Sequence, residues 1–114
     1  LGSRKGFNLP AGGFDLEAGN LQAVKDGHVA YIVSPGHWLS GYIATRALAN
    51  AKETGKPLLE GLLLVPGEFV TKDNVDAVIE RQSSAEKVAA ALAPIGDEVL
   101  ANPDKHVVGP WPPK

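Results

Sequence analysis

The chain has 114 residues, a formal net charge of -2 and no cysteine; a length of this order buries one core and not two independent ones. Its 44% hydrophobic and 21% charged residues match globular averages and exclude a disordered chain. The near-neutral charge removes the electrostatic term that dominates binding to nucleic acid, and the missing cysteines exclude disulfide frameworks, thiol catalysis and thiolate metal sites while leaving the compartment open.

Gly6 to Phe14 places Phe7, Leu9 and Ala11 in alternation ahead of Gly12-Gly13, predicting a strand that runs into a tight, ligand-accessible turn. Asp15 follows at once. From Leu16 the period becomes helical, with Leu21 and Val24 on one face, Asp15 as the N-cap and Gly27 as the left-handed stop. Gly19 weakens the first turn and moves the expected start toward Asn20. His28 to Val33 is short, β-branched and nearly all apolar, which predicts a strand buried on both faces. Strand, helix and strand in close succession make a parallel, right-handed βαβ unit.

Ser34-Pro35-Gly36 breaks that strand, with Ser34 available as a cap and Pro35 suited to a first helical turn. Leu39, Ile43, Ala47 and Ala51 then recur at helical spacing, predicting a helix from Trp38 to Thr54 that Gly55 and Pro57 end. Leu62 to Val65 reads as a further compact strand, interrupted by Pro66-Gly67 before Glu68 to Val70. Thr71 or Asp73 is placed to cap a helix through Val75, Val78 and Ile79. Ser83 with Glu86 has the spacing of a capping box for an alanine-rich helix ending at Pro94. From Asn102 the proline-rich tail reads as extended or loosely docked, with Trp111 as a plug that pins it. No apolar run approaches the roughly eighteen residues of a membrane span, and Leu1 to Lys5 lacks the apolar core of a secretory signal, so a mature form or a fragment is expected.

The three histidines, His28, His37 and His106, lie far apart without metal-ligand spacing, and no GxSxG elbow, P-loop or GxGxxG cradle occurs. No catalytic residue, metal or cofactor is expected. Glu17, Asp26, Glu68, Asp73 and Asp76 occupy positions typical of caps and solvated helix faces. Asp15 stands apart, because it lies at the C-terminal end of a predicted parallel strand, where open α/β sheets place their ligands. A carboxylate there accepts two hydroxyl hydrogen bonds from one sugar, and the alternative role is that of a helix cap. Trp38 offers a flat ring for the C–H face of a pyranose, with His37 and Ser34 as polar neighbours; its alternative is core packing. Phe14 flanks a ligand or fills the core beside the turn.

Gly12-Gly13-Phe14-Asp15-Leu16, followed by Leu21-Gln22-Ala23-Val24-Lys25-Asp26-Gly27, resembles the "GFD... L.AIKDG" segment of periplasmic sugar-binding proteins related to ribose-binding protein. Gly41-Tyr42-Ile43-Ala44 is similar to their "GY.A" helix start, and Val70-Thr71-Lys72-Asp73-Asn74-Val75 to their C-terminal "VTKDNV". Together these motifs cover roughly residues 12 to 80 in the family's order. The resemblance implies an α/β fragment of a two-lobed, Rossmann-like periplasmic binding fold with parallel sheets. Residues 1–34 would form a βαβ portion of the C-terminal lobe, 35–66 a hinge crossing with a helix and strand of the N-terminal lobe, and 67–114 a second crossing, C-terminal helices and tail. It assigns Asp15 the family's ligand-binding aspartate. The family's hinge glutamine does not carry over, since Pro35 stands at its position, twenty residues after Asp15. Any side-chain contact there shifts to Ser34, His37 or Trp38.

By the same resemblance the chain is a periplasmic or extracellular lipid-anchored, non-enzymatic solute-binding component of an ABC-type transporter. Its partners would be a sugar or polyol, a membrane permease, and a preceding portion or second copy that completes the cleft. Two alternatives share the elements: the effector-binding core of a LacI-like regulator, marked by an upstream helix-turn-helix, and a structural α/β module completed by oligomerisation.

Overall fold

A computed structural model describes residues 10–109. The expected opening of the first strand before Pro10 and the docking of Trp111 lie outside these residues. The contacts divide the chain into two compact units, one holding residues 10–35 and 67–88, the other 36–66 and 89–109. Each has its own core where the length predicted a single one; both are small, with six buried residues in the first cluster and three in the second.

The first unit is a three-stranded mixed sheet with helices. Strand β1 (Gly12–Phe14), helix α1 (Ala18–Lys25) and strand β2 (Tyr31–Ser34) form the expected parallel pair with its connecting helix. Strand β3 (Glu68–Thr71) joins the other side of β2 antiparallel, so the sheet is mixed and not all parallel. The register pairs Phe14 with Val33, Val33 with Phe69, and Ser34 with Glu68. Helix α3 (Val75–Arg81) packs against α1. Leu21, Val24, Ile32, Val70, Val75 and Val78 close into one buried cluster, the apolar face that strand and helix periods both turn inward.

Alternation along the strands sends Phe14, Tyr31 and Phe69 to the opposite face, where Phe14 remains 68% and Phe69 56% exposed. His28 to Val33 was expected to be buried on both faces; the strand begins at Tyr31 and only Ile32 is fully buried. The rings of Tyr31 and Phe69 stack at 4.9 Å, as a diagonal cross-strand pair. Gly12 leaves room for this arrangement, because a Cβ there would meet the Tyr31 ring at 2.4 Å.

Local signals fared unevenly here. Gly27 does end α1 with φ 78°, the left-handed value glycine tolerates. The helix begins at Ala18 despite Gly19, and its N-cap position is Glu17, not Asp15. Asn74, not Thr71 or Asp73, is the N-cap of α3. Its side chain accepts from the Thr71 amide at 2.8 Å and donates to the Phe69 carbonyl at 2.9 Å, fastening β3 to the helix entry.

The second unit centres on helix α2 (His37–Thr54) and the continuation of helix α4 (Ala85–Ala101), which begins in the first unit. Gly36, at φ 77°, is the N-cap of α2, which displaces Ser34 from the expected cap and Pro35 from the first turn. A Cβ at Gly36 would lie 2.8 Å from the Pro66 carbonyl oxygen, so the close approach also selects glycine. Gly55 closes α2 in the left-handed conformation. Leu39, Ile43 and Val99 form the core, with Trp38, Tyr42, Leu63, Val65, Leu92 and Leu100 packed around it.

Leu62 to Val65 is not a strand; it contributes one isolated bridge, Leu63 to Val107. The tail partner of that bridge follows a 3₁₀ turn, Pro103–Lys105, so this part of the tail is folded and not loosely extended. Helix α4 runs through Pro94 to Ala101 instead of ending there. Pro94 removes one helical hydrogen bond, and packing of Leu92, Val99 and Leu100 against α2 residues carries the helix past it. Its capping serine is Ser84, whose hydroxyl accepts from the Lys87 amide at 3.3 Å, one residue beyond the expected Ser83.

Candidate functional site

Phe14, Asp15 and Ser34 come together at the C-terminal end of the parallel pair β1 and β2. The amide of Asp15 donates to the Val33 carbonyl at 3.0 Å, carrying the ladder one residue past Phe14. Asp15 then turns with φ 73°, and it is the one non-glycine residue with positive φ among the described residues. Aspartate tolerates that conformation better than most residues, and a non-glycine residue held in it at a strand end is the kind of strain that accompanies functional sites. Asn20, in the first turn of α1, donates its side-chain amide to the carbonyls of Phe14 at 2.9 Å and Asp15 at 3.3 Å. The loop is therefore held from both sides, by β2 and by α1, while Asp15 and Phe14 stay exposed and Ser34 is half-buried.

His37 and Trp38 belong to the second unit, at the start of α2. His37 is exposed, whereas Trp38 is half-buried against the Leu39–Ile43–Val99 cluster. Its ring stacks on Tyr42 at 5.0 Å with an interplanar angle of 13°, an offset-stack geometry that fixes both rings. Tyr42 in turn donates its hydroxyl to Asp97 at 2.8 Å. This bond and the charge of Asp97 hold the Tyr42 hydroxyl above its ordinary pKa. Gly96 makes the approach possible, since a Cβ there would meet the Tyr42 ring at 2.6 Å. The packing role of Trp38 is thus visible in its contacts.

Two features escaped the sequence. Glu68, expected as a solvated carboxylate, opens β3 opposite Ser34 and binds Arg81 of α3 through two hydrogen bonds of 2.9 and 2.5 Å. Thirteen positions separate the partners, and no periodic pattern connects a strand start to the last turn of a helix across a capped entry. The second is an open apolar groove of about 460 Å³ in the second unit, bordered by Ile43, Leu48, Leu58, Leu59, Leu63 and Val107. The strand expected over Leu62 to Val65 does not form, and Leu62 and Leu64 stay exposed in its absence.

Other carboxylates are tied as ordinary surface pairs: Asp76 to Lys25 at 2.7 Å, and Asp26 to the side chain of Gln22 at 2.8 Å. Among the described residues no cluster of His, Cys, Asp and Glu is arranged to hold a metal ion, and no helix is long and apolar enough to cross a membrane. What the sheet edge offers chemically is hydrogen-bond acceptance and donation by Asp15 and Ser34 beside an exposed aromatic ring. Comparisons of the chain with protein-family models, curated proteins and solved structures find no match.

Proposed function

We propose that the chain is the C-terminal portion of a two-lobed solute-binding protein that captures a neutral sugar or related polyol for an ABC-type transporter. The observation that carries this reading is the position of Asp15: exposed, in a left-handed turn held by Asn20, beside Ser34 at the C-terminal end of two parallel strands. Ligands of open α/β sheets lie at that end, and a carboxylate there offers charge-assisted bonds to paired hydroxyls.

Two further observations support it. The chain leaves the first unit after Pro35 and re-enters it after Pro66, as a protein with hinge crossings at those two places would. The sheet carries exposed Phe14 and Phe69 opposite its helix-packed face, whereas parallel strands in complete α/β lobes are covered on both faces. A preceding portion of the same protein would supply that cover and the rest of a Rossmann-like lobe.

In this mechanism the ligand favours a closed arrangement of the lobes because only there does it touch both, and closure presents a joined surface to a membrane permease. No bond is made or broken, and the protein works on the periplasmic face or anchored by lipid outside the cell. A thermal-shift panel of neutral aldoses and polyols, applied to the protein that carries this chain together with the sequence encoded before Leu1, tests the reading. A rise in melting temperature with at least one neutral sugar is expected. A protein that responds to none of them contradicts it.

A further inference from the structure

Asp15 sits in a left-handed turn, at φ 73°, where the Cβ of an L-residue crowds the carbonyl that follows it. Such a conformation persists only where the surroundings hold it. Two peptide planes meet at the Asp15 Cα, and φ and ψ describe their relative orientation. The plane before it is fixed from both sides: its N–H donates to the Val33 carbonyl at 3.0 Å, and its carbonyl, that of Phe14, accepts from the Asn20 side chain at 2.9 Å. The plane after it presents the Asp15 carbonyl to the same Asn20 nitrogen at 3.3 Å. One amide group thus bridges both planes, and it sets the direction in which the Cα–Cβ bond of Asp15 leaves the loop.

The bridge calls for a short side chain that ends in an amide. An NH₂ group reaches two acceptors from one nitrogen, whereas a serine hydroxyl has a single donor and an ionised aspartate has none. The bridge also needs a fixed base. Asn20 is the third residue of α1 and half-buried, and the next residue, Leu21, is enclosed with Val24 in the core of the same unit. The donor therefore stands on an element held by packing, outside the loop that it restrains. Helix formation alone does not favour asparagine at this place, since alanine is the better helix former.

We propose that Asn20 is a positioning residue of the sugar site: through its two hydrogen bonds to the loop backbone it presets the direction of the Asp15 side chain before the ligand arrives. The inference rests on the reading of Asp15 as the ligand anchor. Asn20 acts through Asp15 and need not touch the ligand. A loop already held in its binding conformation binds more tightly than one the ligand must order. A merely structural role in α1 would leave affinity unchanged, which separates the two.

The test is calorimetric titration of the protein that carries the chain and its encoded preceding sequence, with D-glucose, D-xylose and D-mannitol at pH 7 as a neutral hexose, pentose and polyol. Affinities are compared for the probe that the natural protein binds most tightly. Asn20→Ala is expected to lower affinity about three- to tenfold, the range of ordinary hydrogen bonds whose places water can take. Asn20→Asp is expected to lower it further, because its carboxylate cannot donate and faces two carbonyl oxygens. Both replacements suit the first turn of a helix, alanine by propensity and aspartate by the helix dipole, so α1 is expected to keep its stability. If Asn20→Asp fails to fold, Asn20→Ala decides the matter. In an Asp15→Ala background, Asn20→Ala is expected to change affinity less than about twofold, since nothing is left to position. Full affinity in both Asn20 variants, while Asp15→Ala weakens binding, overturns the role of Asn20 and leaves the sugar site standing. An Asn20→Ala effect of the same size with and without the Asp15 carboxylate overturns it as well. Binding of none of the three probes by the natural protein, or binding indifferent to Asp15→Ala, overturns both readings.

Discussion

The two units build their cores by different means. In the first, a sheet supplies one flat apolar face and two helices cover it, so that Ile32, Val70 and Val24 are fully enclosed by side chains from both layers. In the second, two helices meet around Leu39, Ile43 and Val99, and the leucine-rich segment after Gly55 lies beside an open groove. Leu48, Leu58, Leu59 and Leu64 remain about half exposed there. The lesson is that an apolar run specifies burial only when an adjacent strand or helix exists to receive it. Leu62 to Val65 has the composition of a strand, but among the described residues of its own unit it finds a single bridge partner, Val107, and no sheet.

The largest expected effects come from emptying the two cores. Ile32→Ala, at the centre of the layered core, should cost about 3–5 kcal/mol in chemical denaturation, and Ile43→Ala, on the rim of the groove, about 2–3 kcal/mol, because a site open on one side loses less packing. Equal losses would show that the second core is as closed as the first.

Glycine substitutions sharpen the contrast at smaller magnitude. Gly96→Ala drives a methyl into the Tyr42 ring, which is stacked on Trp38 and bonded to Asp97, so the ring has little freedom to move. A loss of about 1–3 kcal/mol is expected, with a change in the near-ultraviolet circular dichroism of Trp38. Gly12→Ala meets the Tyr31 ring even more closely, but that side chain is 41% exposed and can swing outward. Its cost should fall below that of Gly96→Ala, and the reverse order in thermal melts would mean that the Tyr31–Phe69 stack is the more rigid of the two.

Smaller still are the pH effects, which run in opposite directions for acidic and basic groups. Glu80 is held below its ordinary value of 4.5 by the hydrogen bond and charge of Lys87, and Glu86 by its own backbone amide and the Ser84 hydroxyl. A lowered folded pKa gives stabilisation that is complete above about 4.5 and disappears as pH falls through the folded values. Tyr42 and Lys25 are raised above 10.0 and 10.5 by their bonds to Asp97 and Asp76; their stabilisation is present below those values and lost as pH rises beyond them. Melting temperature against pH should therefore lose part of its acid slope in Lys87→Ala, confined to the first unit, and part of its alkaline slope in Tyr42→Phe, confined to the second. A profile unchanged in both variants would show that these exposed pairs contribute nothing measurable.

How much of this was legible beforehand depended on whether the signal was local. The β1–α1–β2 unit, the long helix α2 and the stops at Gly27 and Gly55 follow from period and from glycine's left-handed preference, both carried by a few adjacent residues. The antiparallel entry of β3 was not legible, because a strand's direction is set by where its connection leads and not by its own residues. The helix through Pro94 was misjudged for a related reason: tertiary packing outweighs a local breaker. At the candidate site, Asp15 was visible as an acid at a strand end, but its left-handed turn was not, and the same residue looked equally suited to a cap. The Glu68–Arg81 pair needed the folded register to bring its halves together.

The central claim is that the Asp15 carboxylate anchors the ligand's hydroxyls at the end of the parallel strands. Isothermal titration of a neutral sugar identified by the thermal-shift panel, compared between the natural protein and Asp15→Ala, tests it most directly. Loss of about 2–3 kcal/mol of binding free energy, a fall in affinity of about 30- to 150-fold of the order expected for a charged hydrogen-bond partner, is the predicted result. An Asp15→Ala protein that binds the sugar as tightly as the natural one contradicts the account.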